Sequence, residues 1–150
     1  EWEHYEAEVL TMLDAAVHKY GADPRRIALT GLSQGGHGTW ELARRNPQLF
    51  RAIVPLCGYP ATYAAGEMER NRSAATEIAQ ALKGLPVWAI HGTADSAVPV
   101  ALTDMVVDAF RAQGAEVRVS RYEGVGHDCW SRAYADPAVA AFLRAATEPR

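Results

Sequence analysis

The chain has 150 residues, of which 49% are apolar and 22% charged, and its formal net charge is −3 at pH 7. This is the composition of one ordinary globular domain, and it excludes disordered, collagen-like and membrane-embedded chains. The weak acidic balance gives no electrostatic footprint for nucleic acid or for an anionic membrane surface. The apolar stretches are too short to span a bilayer, so we expect a soluble protein.

Cysteine and histidine usage excludes two further classes. Two cysteines, Cys57 and Cys129, argue against a disulfide scaffold and leave the compartment, cytoplasmic or secreted, open. No cluster of Cys and His has metal-ligand spacing, so neither a metal nor a cofactor is expected. The chain begins at Glu1 without a signal-peptide pattern, which indicates either a processed upstream segment or a piece of a longer protein.

Helical patterns and short apolar strands alternate along the chain. Residues 1–20 carry apolar side chains at steps of three and four, which predicts an amphipathic helix, and Gly21 stands at its expected end. The predicted strands are 27–31, 52–56, 86–91 and 116–122, of which the last is less buried than the others. The predicted helices that follow the first are 34–45, 74–82, 99–113 and 137–146, and 57–73 is a predicted loop. This alternation predicts one α/β unit with a parallel sheet.

The most specific motif is Gly31-Leu32-Ser33-Gln34-Gly35, which lies between a predicted strand and a predicted helix. A serine at a sharp strand-to-helix turn projects its hydroxyl clear of the sheet, and small residues beside it let the strand and helix backbones approach. The alternative is a glycine-rich turn that only caps a helix. The setting between strand and helix favours Ser33 as a nucleophile, with the backbone N–H of Gln34 as an oxyanion donor.

A histidine follows the last predicted strand, in the glycine-rich loop that ends at His127. A triad histidine must arrive at this place when the chain order is Ser, then acid, then His, so His127 is the predicted general base. The other histidines are His4, His18, His37 and His91. His91 is the second candidate for the general base, but we expect it to order the loop that leads to Asp95 and not to touch the substrate.

The orienting acid is predicted to be Asp95, in the loop after the third strand. Its carboxylate would accept the Nδ1–H of His127, fix the tautomer and stabilise the imidazolium. Asp128 is adjacent to His127, and a sequence neighbour rarely points at the same ring nitrogen; Glu123 is a weaker alternative. Because ligands bind at the carboxyl ends of parallel strands, we expect these three side chains to meet there.

Together these motifs resemble the α/β-hydrolase superfamily, and most closely its phospholipase/carboxylesterase-like and prolyl-oligopeptidase-like esterases and predicted peptidases. The resemblance covers nearly the whole chain. It rests on Asp23 to Ile27, Gly31 to Gly36, Gly38 to Trp40, and the segments 47–57, 87–100 and 124–130. It implies that Ser33, Asp95 and His127 are nucleophile, acid and base. It also implies that the four strands match the last four of an eight-stranded sheet.

The resemblance therefore predicts that residues 1–150 are one α/β-hydrolase domain truncated at its N-terminus. The missing N-terminal half would be a covalent neighbour, and the loop with the second oxyanion donor would lie in it. The strand at 27–31 would then be an unprotected edge.

The resulting hypothesis is a serine hydrolase that cleaves carboxylic esters and takes a small ester as substrate. A peptidase with the same triad and a peptide substrate is the alternative within this class. A non-catalytic binding module of the same fold is the alternative from a different class. Tyr59 and Trp130 follow catalytic strand ends and are candidates for a substrate pocket, although ordinary packing explains them as well.

Overall fold

The computed structural model describes residues 2–148, without the side chain of Glu3. The four strands are β1 (Ala28–Leu32), β2 (Ala52–Leu56), β3 (Trp88–Gly92) and β4 (Arg118–Tyr122). The helices are α1 (Glu6–Tyr20), α2 (Gln34–Arg45), α3 (Met68–Ala81), α4 (Val100–Ala112), α5 (Trp130–Ala135) and α6 (Pro137–Thr147), and a 3₁₀ turn at Trp2–His4 precedes α1.

The strands form one parallel sheet in the order β1-β2-β3-β4, which confirms the predicted fold class. Along the register, Thr30 lies opposite Val54, and Ile90 lies opposite Ser120. Each neighbouring pair of strands is joined through a helix, because parallel strands need a crossover connection. All four strands therefore end at the same edge of the sheet.

Both faces of the sheet are covered by helices. Along β2, Ile53 packs with α2, α3 and α4 on one face, whereas Val54 packs with α5 and α6 on the other. This alternation follows from the two-residue period of a strand. Trp40 and Trp88 are 0% and 2% exposed and anchor the two opposite clusters, as expected of core residues.

The first strand is only half-buried, so the prediction of a buried strand at 27–31 is wrong in this respect. Leu32 is 37% exposed, whereas every residue of β2 is buried. Among residues 2–148, β1 has a partner strand on one side only, which leaves its outer side open.

The first helix also differs from its prediction. It begins at Glu6, since Trp2 belongs to the preceding 3₁₀ turn, and none of its side chains is buried. Val9 packs against the core, but Tyr5, Met12 and Tyr20 are 60%, 71% and 75% exposed. Part of the predicted apolar face therefore meets no other element within the described chain.

Two helical segments were not expected. Helix α3 begins at Met68, inside the predicted loop 57–73, and the side chain of Asn71 in its first turns accepts hydrogen bonds from the N–H groups of Ala61 and Thr62. Helix α5 has six residues and begins where Asp128 accepts hydrogen bonds from Ser131. Polar contacts hold the start of each segment, and Ala133 of α5 is also buried in the core. No helix in the described range is both long and apolar enough to cross a membrane.

Candidate active site

Ser33 is the single residue between the end of β1 and the start of α2, and its backbone has φ 54° and ψ −118°. A non-glycine residue in this left-handed region is strained and persists only where its surroundings fix it. Two backbone hydrogen bonds do so: the Ser33 N–H donates to the carbonyl of Leu56 at 2.9 Å, and the Ser33 carbonyl accepts from the N–H of His37 at 3.1 Å. The turn is therefore pinned to β2 on one side and to α2 on the other.

The glycines of the turn have different roles from those predicted. A Cβ on Gly31 would come within 2.3 Å of the Gly35 carbonyl oxygen, so this position excludes any side chain, as expected. A Cβ on Gly35 would meet nothing within 4 Å, which corrects the prediction that Gly35 must be small. The second close approach is at Gly36, where a Cβ would come within 2.4 Å of the Leu56 carbonyl oxygen and 2.9 Å of the Gly58 Cα.

A chain of hydrogen bonds links the three side chains that the sequence singled out. The Oγ of Ser33 lies 2.9 Å from Nε2 of His127, and Nδ1 of His127 lies 2.7 Å from Oδ2 of Asp95. Because a carboxylate only accepts hydrogen bonds, Nδ1 carries the proton and Nε2 is left to accept from the serine hydroxyl. A proton can pass from Oγ to Nε2 in this arrangement, and the imidazolium then formed faces a carboxylate.

Asp95 is held as an anion in the interior. Its side chain is fully buried, and Oδ1 accepts hydrogen bonds from the N–H groups of Ala97 and Val98 at 2.9 and 2.8 Å. Burial raises the pKa of Asp95, but the hydrogen bonds from His127, Val98 and Ala97 outweigh it and leave the pKa below its ordinary value. The carboxylate is therefore charged at neutral pH.

The loop between β4 and His127 packs directly on the end of β3. A Cβ on Gly92 would come within 2.3 Å of the Val125 carbonyl oxygen, and the Ala94 N–H donates to that carbonyl at 2.9 Å. Trp130 stands edge-on to the ring of His127, with centroids 5.3 Å apart. The loop and the tryptophan together fix the side of β3 on which the imidazole lies.

The first peptide of α2 faces the serine. Its N–H, at Gln34, donates no hydrogen bond to any residue in 2–148, as is usual for the first turn of a helix. The carbonyl of Gln34 accepts a hydrogen bond of 2.6 Å from the indole of Trp2, whose ring lies against Gly38. The sequence did not predict this contact, because residues 1–20 were expected to form one helix, whereas Trp2 lies in the preceding 3₁₀ turn.

The alternative acids lie elsewhere, whereas the alternative base contacts Asp95. Asp128 accepts hydrogen bonds from Ser131, and Glu123 is exposed. His91 is buried, and its Nε2 lies 3.1 Å from Oδ2 of Asp95, the oxygen that also accepts the hydrogen bond from His127. Its contact with Asp95 agrees with the expectation that it orders this loop.

The two pocket candidates differ in their surroundings. Tyr59 is 6% exposed and stacks on His37, with ring centroids 4.6 Å apart, whereas Trp130 is half-buried beside the imidazole. A role for either in binding substrate stays a prediction.

One thiol lies beside the triad residues. The sulfur of Cys57, at the end of β2, an oxygen of Asp95 and a ring nitrogen of His127 all lie within 4.8 Å of one another. These atoms are possible metal ligands that sequence spacing could not reveal, because they come from three separate loops. A hydrogen bond from Cys57 to Cys129, together with burial, raises the pKa of the Cys57 thiol, and both cysteines are buried and form no disulfide.

A surface cavity of about 710 Å³ lies at the opposite edge of the sheet, where the strands begin. Arg26, Arg51 and Pro86, each near the start of a strand, contribute to its lining. It is remote from the serine and belongs to the other end of the fold.

Comparison with known proteins gives one family and several relatives. Residues 1–147 match the dienelactone hydrolase family. A protein of Methylorubrum extorquens named "Putative carboxymethylenebutenolidase" is 34% identical over 126 residues, which are 81% of this chain and 42% of that protein. The chain thus spans less than half the length of this curated relative.

Solved structures of hydrolases share the fold. A thermostable esterase superposes with a TM-score of 0.78 at 26% identity, over 93% of this chain and 36% of that one. The acylaminoacyl peptidase of Pyrococcus horikoshii also reaches a TM-score of 0.78, at 19% identity over 97% of this chain and 28% of that one. These superpositions confirm the predicted α/β-hydrolase resemblance.

Proposed function

The chain belongs to the dienelactone hydrolase family, and we propose that it carries the triad of a serine hydrolase that cleaves carboxylic esters through an acyl-enzyme. Ser33 is the nucleophile, His127 the general base and Asp95 the orienting acid. The observation that carries the proposal is the unbroken hydrogen-bond chain from Oγ of Ser33 through the imidazole to the buried carboxylate.

The reaction proceeds in two halves. Nε2 of His127 takes the proton of Ser33 while Oγ attacks the ester carbonyl, and Asp95 stabilises the imidazolium. The imidazolium returns the proton to the leaving alcohol, which departs and leaves an ester on Oγ. Water then attacks this acyl-enzyme with His127 again as base, releases the carboxylic acid and restores the serine.

Charge that develops on the carbonyl oxygen needs donors that are already in place. The N–H of Gln34 is such a donor, because it lies next to the nucleophile and has no acceptor within the described chain. The positive end of the α2 dipole adds to the field at this point.

The names of relatives support the proposed substrate class. The name carboxymethylenebutenolidase denotes a hydrolase of a butenolide, which is a cyclic carboxylic ester, and one structural neighbour is an esterase. These names favour an ester over an amide as the substrate of this chain.

Covalent labelling tests the proposal. A fluorophosphonate should lose fluoride and become attached to Ser33, so that the intact mass of the protein rises by one probe group. Ser33→Ala should abolish both the labelling and the hydrolysis of p-nitrophenyl acetate, with turnover lower by several orders of magnitude. Ser131→Ala is the matched control and should label as the unmodified protein does, because Ser131 contacts only Asp128 through its hydroxyl.

Two results would contradict the proposal. One is Ser33→Ala that keeps most of its turnover. The other is an unmodified protein that takes up no probe and hydrolyses no ester, which would favour a non-catalytic binding module.

A further inference from the structure

A second histidine contacts Oδ2 of Asp95, the carboxylate oxygen that also accepts the hydrogen bond from His127. His91 is fully buried on β3, and its Nε2 lies 3.1 Å from Oδ2 of Asp95 and 2.9 Å from the carbonyl oxygen of Val98. Its other ring nitrogen, Nδ1, lies 2.8 Å from the hydroxyl of Thr103 in α4. Every polar atom of this ring therefore has a partner.

These partners fix the tautomer of His91. Both oxygens that face Nε2 are acceptors only, so Nε2 must carry a proton and donates it to Asp95 and Val98 together. When the ring is neutral, Nδ1 accepts a hydrogen bond from the hydroxyl of Thr103.

The ring is also held neutral. Burial lowers the pKa of His91 below its ordinary value, against the opposing effects of the Val98 carbonyl and the Asp95 carboxylate. A neutral donor fixes the position of Oδ2 without cancelling the charge of Asp95. That charge therefore stays available to stabilise the imidazolium of His127.

The torsion that rotates a carboxylate is broad, so hydrogen bonds must set its angle. Oδ1 of Asp95 is anchored by the N–H groups of Ala97 and Val98. On Oδ2 the donors are His127, whose side chain is 27% exposed, and the fully buried His91. The rigid donor on Oδ2 is thus His91.

We propose that His91 is a positioning residue of the triad, whose Nε2–H holds Oδ2 of Asp95 in line with Nδ1 of His127. The inference rests on the proposed function, since it concerns the orientation of the general base. His91 is buried behind Asp95 and touches no substrate.

Two amide substitutions separate donation to Asp95 from the other contacts of the ring. The amide of His91→Gln can occupy the place of Nε2 and donate to Asp95. The amide of His91→Asn can occupy only the place of Nδ1, so it reaches Thr103 and leaves Oδ2 without its buried donor. Hydrolysis of p-nitrophenyl acetate is measured with the complete protein and its variants.

We expect His91→Gln to keep kcat within about threefold, and His91→Asn to lose about 10- to 100-fold in kcat with little change in KM, by analogy with the loss of a hydrogen-bond partner of a metal-ligating residue. In an Asp95→Asn background, His91→Asn should change kcat less than about twofold, because the effect passes through the carboxylate. Equal losses in both backgrounds, or a His91→Gln as slow as His91→Asn, would overturn the proposal.

A measurement on the unmodified protein complements these variants. The ¹⁵N resonances of the His91 ring should report a protonated Nε2 at neutral pH, whereas an Nδ1–H tautomer, which leaves Nε2 without a proton, would overturn the proposal. Fluorophosphonate labelling of Ser33 separates the two hypotheses. If the probe labels Ser33 and His91→Asn keeps full turnover, the positioning role alone fails; if Ser33 is not the labelled residue, the triad itself fails.

Discussion

The carboxylate of Asp95 accepts four hydrogen bonds, two on each oxygen. Oδ1 holds the loop that follows β3, while Oδ2 contacts the two histidines. One residue thereby connects the backbone of the fold to the tautomer of the base, and each of these two roles can be tested.

Replacement of Asp95 by Asn tests its link to the base. The amide can present an N–H to Nδ1 of His127, which then favours the tautomer with the proton on Nε2 and removes the acceptor of the serine proton. We expect kcat for ester hydrolysis to fall by about 10⁴-fold, as in serine proteases with this substitution, while the circular dichroism stays unchanged. A loss under tenfold would assign the acid to Glu123 or Asp128.

The lowered pKa of Asp95 predicts a pH dependence of stability. An unfolded aspartate has a pKa of about 3.9, so the contribution of the folded carboxylate is fully present above that pH and disappears as the pH falls through the lower folded value. The excess free energy of unfolding of the unmodified protein over Asp95→Asn, measured in urea, should shrink as the pH falls below about 4. The exposed Asp108, substituted by Asn, serves as the control, and a difference at Asp95 that is constant with pH would contradict the prediction.

Sequence reasoning brought Ser33, Asp95 and His127 to one place because each follows a strand and parallel strands end at one edge. It did not find the sharing of one oxygen of Asp95 by His91 and His127. Such contacts depend on side-chain directions at strand ends, and no sequence period encodes those directions.

At the scale of the elements, the turn from β1 into α2 depends on how closely two backbones approach. Gly31 and Gly36 make the close contacts, while Gly35 faces open space. The glycine pattern alone could not rank these positions, because it does not show which Cα faces the neighbouring strand.

Two neighbouring substitutions in α2 test this ranking. Gly35→Ala should raise the free energy of unfolding by about 0.5–1 kcal/mol, because alanine suits a helix better and meets no other atom. Gly36→Ala gains the same helix propensity but should lower the stability by about 1–3 kcal/mol, because its Cβ would overlap the Leu56 carbonyl. Thermal unfolding of both variants measures the effects, and two variants of equal stability would show that the contact at Gly36 relaxes without cost.

Helices α3 and α5 show where element prediction fails. The first turns of α3 contain Met68, Glu69, Arg70, Asn71 and Arg72, a polar run with no apolar face. Asn71 is nevertheless 1% exposed, because its amide oxygen satisfies two backbone N–H groups of the loop before it. The helix is extended by a contact with another segment, whereas hydrophobic periodicity reports only on faces that pack by apolar burial.

At the scale of the whole molecule, alternation of strands and helices was enough to predict a parallel sheet. The arrangement of helices over its two faces follows from crossover connections and from the strand period. How far β1 and α1 are buried was not predictable in the same way, since burial depends on what lies outside them.

The open side of β1 leads to a prediction about the whole protein. The sequence assigns one oxyanion donor to this chain, the N–H of Gln34, and the loss of a single such donor costs about 10²- to 10³-fold in turnover. We expect the turnover of p-nitrophenyl acetate by residues 1–150 alone to be lower, by about that factor, than the turnover by the complete protein. We also expect them to associate through β1 in size-exclusion chromatography. A monomeric 150-residue chain with equal turnover would contradict the prediction.

The backbone at Ser33 has a consequence for how this sequence changes over generations. A left-handed serine costs the fold about 1–3 kcal/mol, and glycine at the same site would relieve most of that cost. If the proposed hydrolysis is under selection, the serine stays and the rest of the domain must be stable enough to tolerate it. In a duplicated copy whose chemistry no longer matters, selection for stability favours glycine here. A lineage that lost its activity should therefore show the loss first at the nucleophile, with the histidine and the aspartate still in place.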